Sequence, residues 1–201
     1  MEQGTQEWHQ ARGGRVTASR IADVMARTKS GPGAARANYM AELIVYRLTG
    51  EAPAFDTPEM RWGRETEDQA RLAYEFFTGR EVVKCGFFVH PEIEKSGASP
   101  DGLVGDDGQL EIKCPKTATH IETLLNRKVP KRYLLQMHWQ MACTGRQWCD
   151  FVSFDPRLPV DLQKWITRVD RDDGLIRTME AEVVAFIEEL ETKLTQLKEV
   201  A

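Results

Sequence analysis

Two carboxylates and an amine stand close together in one short stretch, SGASPDGLVGDDGQLEIKCP, from Ser96 to Pro115: Asp101, Glu111 and Lys113. Such a trio suits hydrolysis of a phosphodiester. Carboxylate oxygens are the ligands preferred by Mg²⁺ and Mn²⁺, hard cations that keep waters and bridge to substrate phosphates. Two such ions roughly 3.5 to 4 Å apart can clamp the attacking and leaving oxygens of an in-line displacement. The lysine can stabilise the charge of the transition state or help deprotonate the attacking water.

The trio meets only if the chain doubles back between its members. Asp101 lies between Pro100 and Gly102, where a strand starts or kinks, and Asp106-Asp107-Gly108 supplies hairpin-turn residues. The returning run Gln109 to Lys113 alternates polar and apolar. With a side-chain period of two, Glu111 and Lys113 share the wet face of a strand while Leu110 and Ile112 point into a core. The hairpin brings Asp101 back beside them.

Composition narrows the setting. A chain of 201 residues, 41% hydrophobic and 29% charged, suffices for one well-buried domain, so 1–201 reads as a single domain. No apolar run approaches the roughly 18 residues of a membrane span, and MEQGTQEWHQ lacks the basic and apolar regions of a signal peptide, which predicts a cytoplasmic protein without a membrane partner. Cys85, Cys114, Cys143 and Cys149 show no zinc or iron–sulfur spacing and read as reduced thiols. The net charge of −4 conceals a segregation: +3 over Met1 to Gly50, +4 over Glu111 to Asp150, and −5 over Asp170 to Ala201. A basic face with an acidic tail can hold a phosphate backbone.

Around the hairpin, the pattern predicts a helix carrying Ile21, Val24 and Met25 with Thr17 or Ser19 as its cap, a ready anion site with an arginine arriving from Arg12-Gly13-Gly14-Arg15. Lys29 to Gly33 reads as a loop and Ala52 to Pro58 as a connector. Helices are expected over Asn38 to Leu48 and Met60 to Phe77, stopped by Gly50 and Gly79. Glu81 to Val89, Ala98 to Val104 and Gln109 to Lys113 read as strands, followed by helices over Ala118 to Asn126 and Lys131 to Thr144. Trp148 to Phe154 and Gln163 to Val169 are further strands, and Asp172 to Leu197 an acidic closing helix. Within Lys131 to Thr144, Gln136 and Gln140 share a face, whereas His138 lies about 200° round from Gln136.

Several stretches together resemble the phage lambda exonuclease family of viral alkaline exonucleases, also called YqaJ-type recombinases. They are Trp8-His9 with Arg12, Val16-Thr17-Ala18-Ser19, Trp62-Gly63 with Glu67, Ser99-Pro100-Asp101-Gly102, Leu110-Glu111-Ile112-Lys113-Cys114-Pro115 and Asp155-Pro156-Arg157. Any one is weak; six in order are strong.

The resemblance implies an α/β fold with a restriction-endonuclease-like core, a mixed central sheet flanked by helices. It implies processive, Mg²⁺-dependent digestion of duplex DNA from a 5′ end, in which two ions serve and Mn²⁺ substitutes. Mononucleotides are released, and a 3′ overhang is left for phage-type recombination. Asp101 and Glu111 would be metal ligands with the Ile112 carbonyl, Lys113 would act on the nucleophilic water, and Glu67 would hold metal-bound water. Arg12, Ser19 and Ser99 would bind the 5′-phosphate. Lys29, Met60, Gln136 and His138 would contact DNA, Met60 as a wedge at the terminal base pair. The chain departs from the pattern at His138, where the family has glutamine, and at Gln136 to Gln140, where RecB-type nucleases carry Gln-x-x-x-Tyr.

The family is also similar in forming a ring-shaped homotrimer and in working beside a single-strand annealing protein, for which the acidic closing helix is a candidate docking surface. A phage or prophage gene expressed in a bacterial host is the implied source. The runner-up is an endonuclease or resolvase on the same fold; the third is a catalytically dead DNA-binding subunit.

Overall fold

A computed structural model of the chain describes residues 3–29, 31–51 and 57–200. The expected connector Ala52 to Pro58 lies mostly outside them.

Helix α1 (Gln6–Arg12), capped by the Thr5 hydroxyl, ends where the basic Arg12-Gly13-Gly14-Arg15 segment begins. Strand β1 (Val16–Thr17) leads through a 3₁₀ turn (Ala18–Arg20) into the short helix α2 (Ile21–Val24). Thr17 makes no side-chain capping bond there, so the expected capped helix start is absent. The loop expected at Lys29 to Gly33 belongs to a small hairpin of β2 (Arg27–Thr28) and β3 (Gly31–Pro32). Helices α3 (Ala34–Thr49) and α4 (Pro58–Thr78) end, as expected, on left-handed Gly50 and Gly79.

Each of the next two expected strands is broken in two. Glu81 to Val89 divides into β4 (Val82–Val83) and β5 (Phe88–Val89), and Ala98 to Val104 into β6 (Ser96–Ala98) and β7 (Gly102–Val104). In both, the first and second halves join different sheets. Strands β4 and β7 pair in one, β5 and β6 in the other. Ser99-Pro100-Asp101 is therefore a crossing point between sheets.

Strand β8 (Gly108–Lys113) returns antiparallel to β7, and Gly105, at φ 55°, makes the turn. Gly108 has no room for a side chain, because a Cβ would come within 2.1 Å of the Trp148 ring. Helices α5 (Thr117–Asn126) and α6 (Lys131–Thr144) then form the crossover to β9 (Trp148–Phe154), parallel to β8, as a parallel pair requires. Strand β10 (Lys164–Asp170) and helix α7 (Asp173–Glu199) follow. The main sheet runs β10-β9-β8-β7-β4, and a second runs β1-β6-β5; both are mixed. This is the α/β class expected, with helices against the sheets.

Helix α7 is held by an apolar stripe at helical spacing, Ile176, Met179, Val183, Phe186, Leu190 and Leu194, packed with Tyr39, Leu43 and Trp139. Each such side chain contributes about 1.5 to 3 kcal/mol on burial. Its acids face cations from earlier in the chain: Arg27 meets Glu182, Arg36 meets Glu189 at 2.6 Å, and Arg47 and Lys95 both meet Glu191. Glu182, Glu189 and Glu191 of the acidic surface expected to greet a partner thus close on cations of the chain itself. Among the described residues no helix is long and apolar enough to cross a membrane.

Candidate active site

Asp101 sits where the regular β7–β8 ladder ends. Its N–H donates to the Leu110 carbonyl at 3.0 Å, and its Oδ2 accepts from the Ile112 N–H at 2.6 Å. The side chain thereby extends the pairing that Pro100 interrupts and is drawn against β8 beside Glu111. Burial holds the Asp101 carboxyl well above the ordinary aspartate range; Glu111 adds to this and Lys113 opposes it.

Glu111 was expected on a wet strand face, yet it is 0% exposed. Leu110 and Ile112 pack with Ala70 and Tyr74 of α4 on one side of β8, and α6 covers the other. On that side Glu111 Oε1 accepts from Gln136 at 2.7 Å and from Lys113 Nζ, and Oε2 accepts from Gln140 at 2.6 Å. Burial disfavours the Lys113 ammonium, but Glu111 and Asp101 outweigh it and raise its pKa above the ordinary lysine value. In this arrangement Lys113 is a cation and a donor, the first of the two roles open to it.

Asp101, Ile112 and Lys113 line a cavity of about 710 Å³ with Glu67, Met60, Ser19, Gln136 and Tyr133. Glu67, on α4, is half-buried; burial raises its pKa, Arg71 and Lys113 oppose this, and Glu111 adds to it. Among the described residues no group of three or more His, Cys, Asp or Glu side chains converges closely enough to hold a metal unaided. What does converge is a pair of carboxylates flanked by a third: after burial, the Glu111 charge is what most raises the pKa of both Asp101 and Glu67, and Glu67 adds to the rise at Asp101. Hard oxygen donors with surplus negative charge fit a divalent cation that fills its remaining positions with main-chain oxygen and water.

Of the expected phosphate-binding residues, Arg12 and Ser99 are joined through Trp8, and Ser19 stands on the cavity wall. Ser19 is exposed on the cavity wall, 3.4 Å from the Thr17 hydroxyl. Arg12 lies over the Trp8 ring at 4.1 Å, and Trp8 Nε1 donates to Ser99 Oγ at 2.9 Å, two residues before Asp101. Burial lowers the Arg12 pKa. A desolvated guanidinium resting on an indole, with no carboxylate of the described residues bonded to it, is open to an anion.

Met60 is 47% exposed at the rim. Lys29 is exposed in the β2–β3 turn and does not line the cavity. Gln136 reaches the site, but with an amide hydrogen directed at Glu111. His138 does not reach it. It is buried on the other side of α6, where Asp172 and Arg171 are the charges that act on it, so the DNA contact expected of it has no place there.

Gln140 and Trp8 join the site's framework although neither was among the expected functional residues. For Gln140 the signal was present, since it stands one helical turn from Gln136. Tyr133 and Arg132 also line the cavity, and the Tyr133 ring lies 5.2 Å from Lys113 Nζ.

A YqaJ-like viral recombinase domain matches residues 7–147. An alkaline exonuclease from Laribacter hongkongensis superposes with a TM-score of 0.91 at 55% identity, over 97% of both chains, and a second structure of it, in complex with dAMP, gives the same values. A phage-related exonuclease from Haemophilus somnus 129PT shares the fold, with a TM-score of 0.75 at 17% identity over 91% of this chain and 96% of its own. No match was found among curated proteins.

Proposed function

The chain belongs to the YqaJ-like viral recombinase family, and from that premise we propose that it is a Mg²⁺-dependent exonuclease that digests one strand of duplex DNA from its 5′-phosphorylated end. The observation that carries this reading is that Asp101 and Lys113 line one cavity while the buried Glu111 carboxylate, bonded to Lys113, lies directly behind them. Its relatives support it. The Laribacter protein is an alkaline exonuclease, and dAMP, found with it, belongs to the product class that one-nucleotide steps would release.

Asp101, Glu111 and the Ile112 carbonyl would hold the metal, with Glu67 bonded to its waters. Bound there, Mg²⁺ supplies a nucleophile at neutral pH and neutralises charge on the scissile phosphate. Lys113 directs its ammonium at the charge that develops on phosphate oxygens. Arg12, braced by Trp8, and the Ser19 and Ser99 hydroxyls take the terminal 5′-phosphate, and Met60 at the rim separates the last base pair. Each cleavage exposes a new phosphate that Arg12 attracts forward. A ring of three copies around the duplex would make digestion processive, and a single-strand annealing protein would take the exposed 3′ strand.

Linear duplex bearing a single 5′-phosphate, incubated with Mg²⁺, tests the reading. The phosphorylated strand should disappear into mononucleotides while closed circular DNA stays intact. Nicking of the circle would favour an endonuclease, and loss of the strand from its 3′ end would overturn the polarity.

A further inference from the structure

Beyond the groups that face the cavity lies a buried polar seam between β8 and α6. Gln109 and Glu111, two apart on β8, point toward α6, where Gln136, Gln140 and Thr144 form a stripe at intervals of four. Gln109, Glu111 and Gln140 are each 0% exposed. The Thr144 hydroxyl lies 2.9 Å from Gln109 Oε1 and 2.9 Å from the Gln140 carbonyl. Gln109 Nε2 donates to Gln140 Oε1 at 3.3 Å and to the Met137 carbonyl at 3.4 Å. Gln140 Nε2 then donates to Glu111 Oε2 at 2.6 Å and to the Ser99 carbonyl at 3.4 Å.

The chain of bonds has a direction. An amide turned end for end at Gln140 would set its oxygen against Glu111 Oε2 and its NH₂ against Gln109 Nε2, an acceptor facing an acceptor and a donor facing a donor. Gln109 excludes that orientation, because its Nε2 is held by the Met137 carbonyl, which can only accept, and its Oε1 faces the Thr144 hydroxyl. Gln140 also touches both segments that carry the carboxylates, β8 through Glu111 and the Asp101 crossing through Ser99. From this we infer that Gln140, oriented by Gln109 and Thr144, is a positioning residue that aims the Glu111 carboxylate and sets its spacing from Asp101. The inference rests on the reading of Asp101 and Glu111 as metal-holding groups.

Outer groups that orient a ligand typically change metal affinity about 10- to 100-fold when removed. Mn²⁺ binding to the full chain, followed by the electron paramagnetic resonance signal of the free ion, is the direct readout. The parent should bind Mn²⁺ and Asp101→Ala should lose it. Gln140→Leu should bind about tenfold more weakly, with a lower single-turnover cleavage rate and unchanged KM for duplex ends. Thr144→Val should weaken binding in the same direction, and Thr144→Ser, which keeps the hydroxyl, should restore it.

Absence of Mn²⁺ binding in the parent, or its survival in Asp101→Ala, would overturn the metal-site reading itself. Equal affinity in the parent and a folded Gln140→Leu protein would overturn this inference alone. Should Gln140→Leu fail to fold, equal affinity in Thr144→Val and the parent does the same.

Discussion

A carboxylate with no exposed surface persists only when its oxygens are bonded, and around Glu111 three donors meet that need: Gln136, Gln140 and Lys113. Two of the three come from a helix and one from the carboxylate's own strand, so the group is fixed from both sides. Alanine at Asp101, Glu111 or Lys113 should therefore lower single-turnover cleavage by about 10²- to 10⁴-fold, while fluorescence anisotropy still reports binding to duplex ends. Near-normal turnover in Lys113→Ala would remove it from the chemistry. Arg12 carries a separable task. A charge-assisted hydrogen bond is worth about 1.5 to 3 kcal/mol, so Arg12→Ala should reduce the preference for 5′-phosphoryl over 5′-hydroxyl ends by roughly 10- to 100-fold. The ratio of initial rates on the two substrates measures it, and an unchanged ratio would place the phosphate elsewhere.

Among the elements, α6 shows what periodicity can and cannot disclose. Its spacing put Gln136 and Gln140 on one face and His138 on another, and both placements hold. What alternation in Gln109 to Lys113 did not disclose is that a helix covers the polar face too. A polar-apolar repeat looks the same whether its polar side meets water or a stripe of glutamines. The breaks in the two strand stretches were hidden because both halves of each remain extended. Only pairing partners distinguish them, though Pro100 marked one crossing. Polar, seven-residue α1 has no apolar stripe to announce it. The other face of α6 carries a consequence for stability. His138 is buried there, and His90 stacks on Trp139 with its Nε2 3.3 Å from Glu180 of α7, near but not aligned as a hydrogen bond. Burial lowers the pKa of both from the ordinary 6.5, with Glu180 opposing at His90 and Asp172 at His138. Their folded values lie below those of the unfolded chain, so stability is full above about pH 6.5 and declines as pH falls toward the folded values. The slope is at most about 1.4 kcal/mol per pH unit for each histidine. Melting temperatures should fall from pH 7 to pH 5.5, and His138→Gln should make the fall shallower. An identical slope in the variant would assign the loss to other groups.

Over the whole molecule, the three charged regions of the sequence have different fates. The acidic α7 meets Arg27, Arg36, Arg47 and Lys95, which draws those cations away from free display. Such pairs, largely at the surface, are each worth about 0 to 1 kcal/mol, so their main effect is on where net charge remains. It remains around the turn between α5 and α6, where Arg127, Lys128, Lys131 and Arg132 are all exposed, and Arg132 lines the cavity. A duplex whose end enters that cavity would run its phosphates along this cationic edge, although the protein is acidic overall. Counterion release makes each neutralised phosphate visible: log K for B-DNA falls against log salt with a slope near −0.9 per contact. Affinity for linear duplex, measured without divalent metal, should therefore drop steeply with salt. Lys128→Ala with Lys131→Ala should lower the steepness by about 1.8 if both touch phosphate, leaving the 5′-phosphate preference set by Arg12 unchanged. An unaltered slope in the double variant would move the path of the duplex off the α5–α6 turn, and a flat response in the parent would deny phosphate contacts altogether.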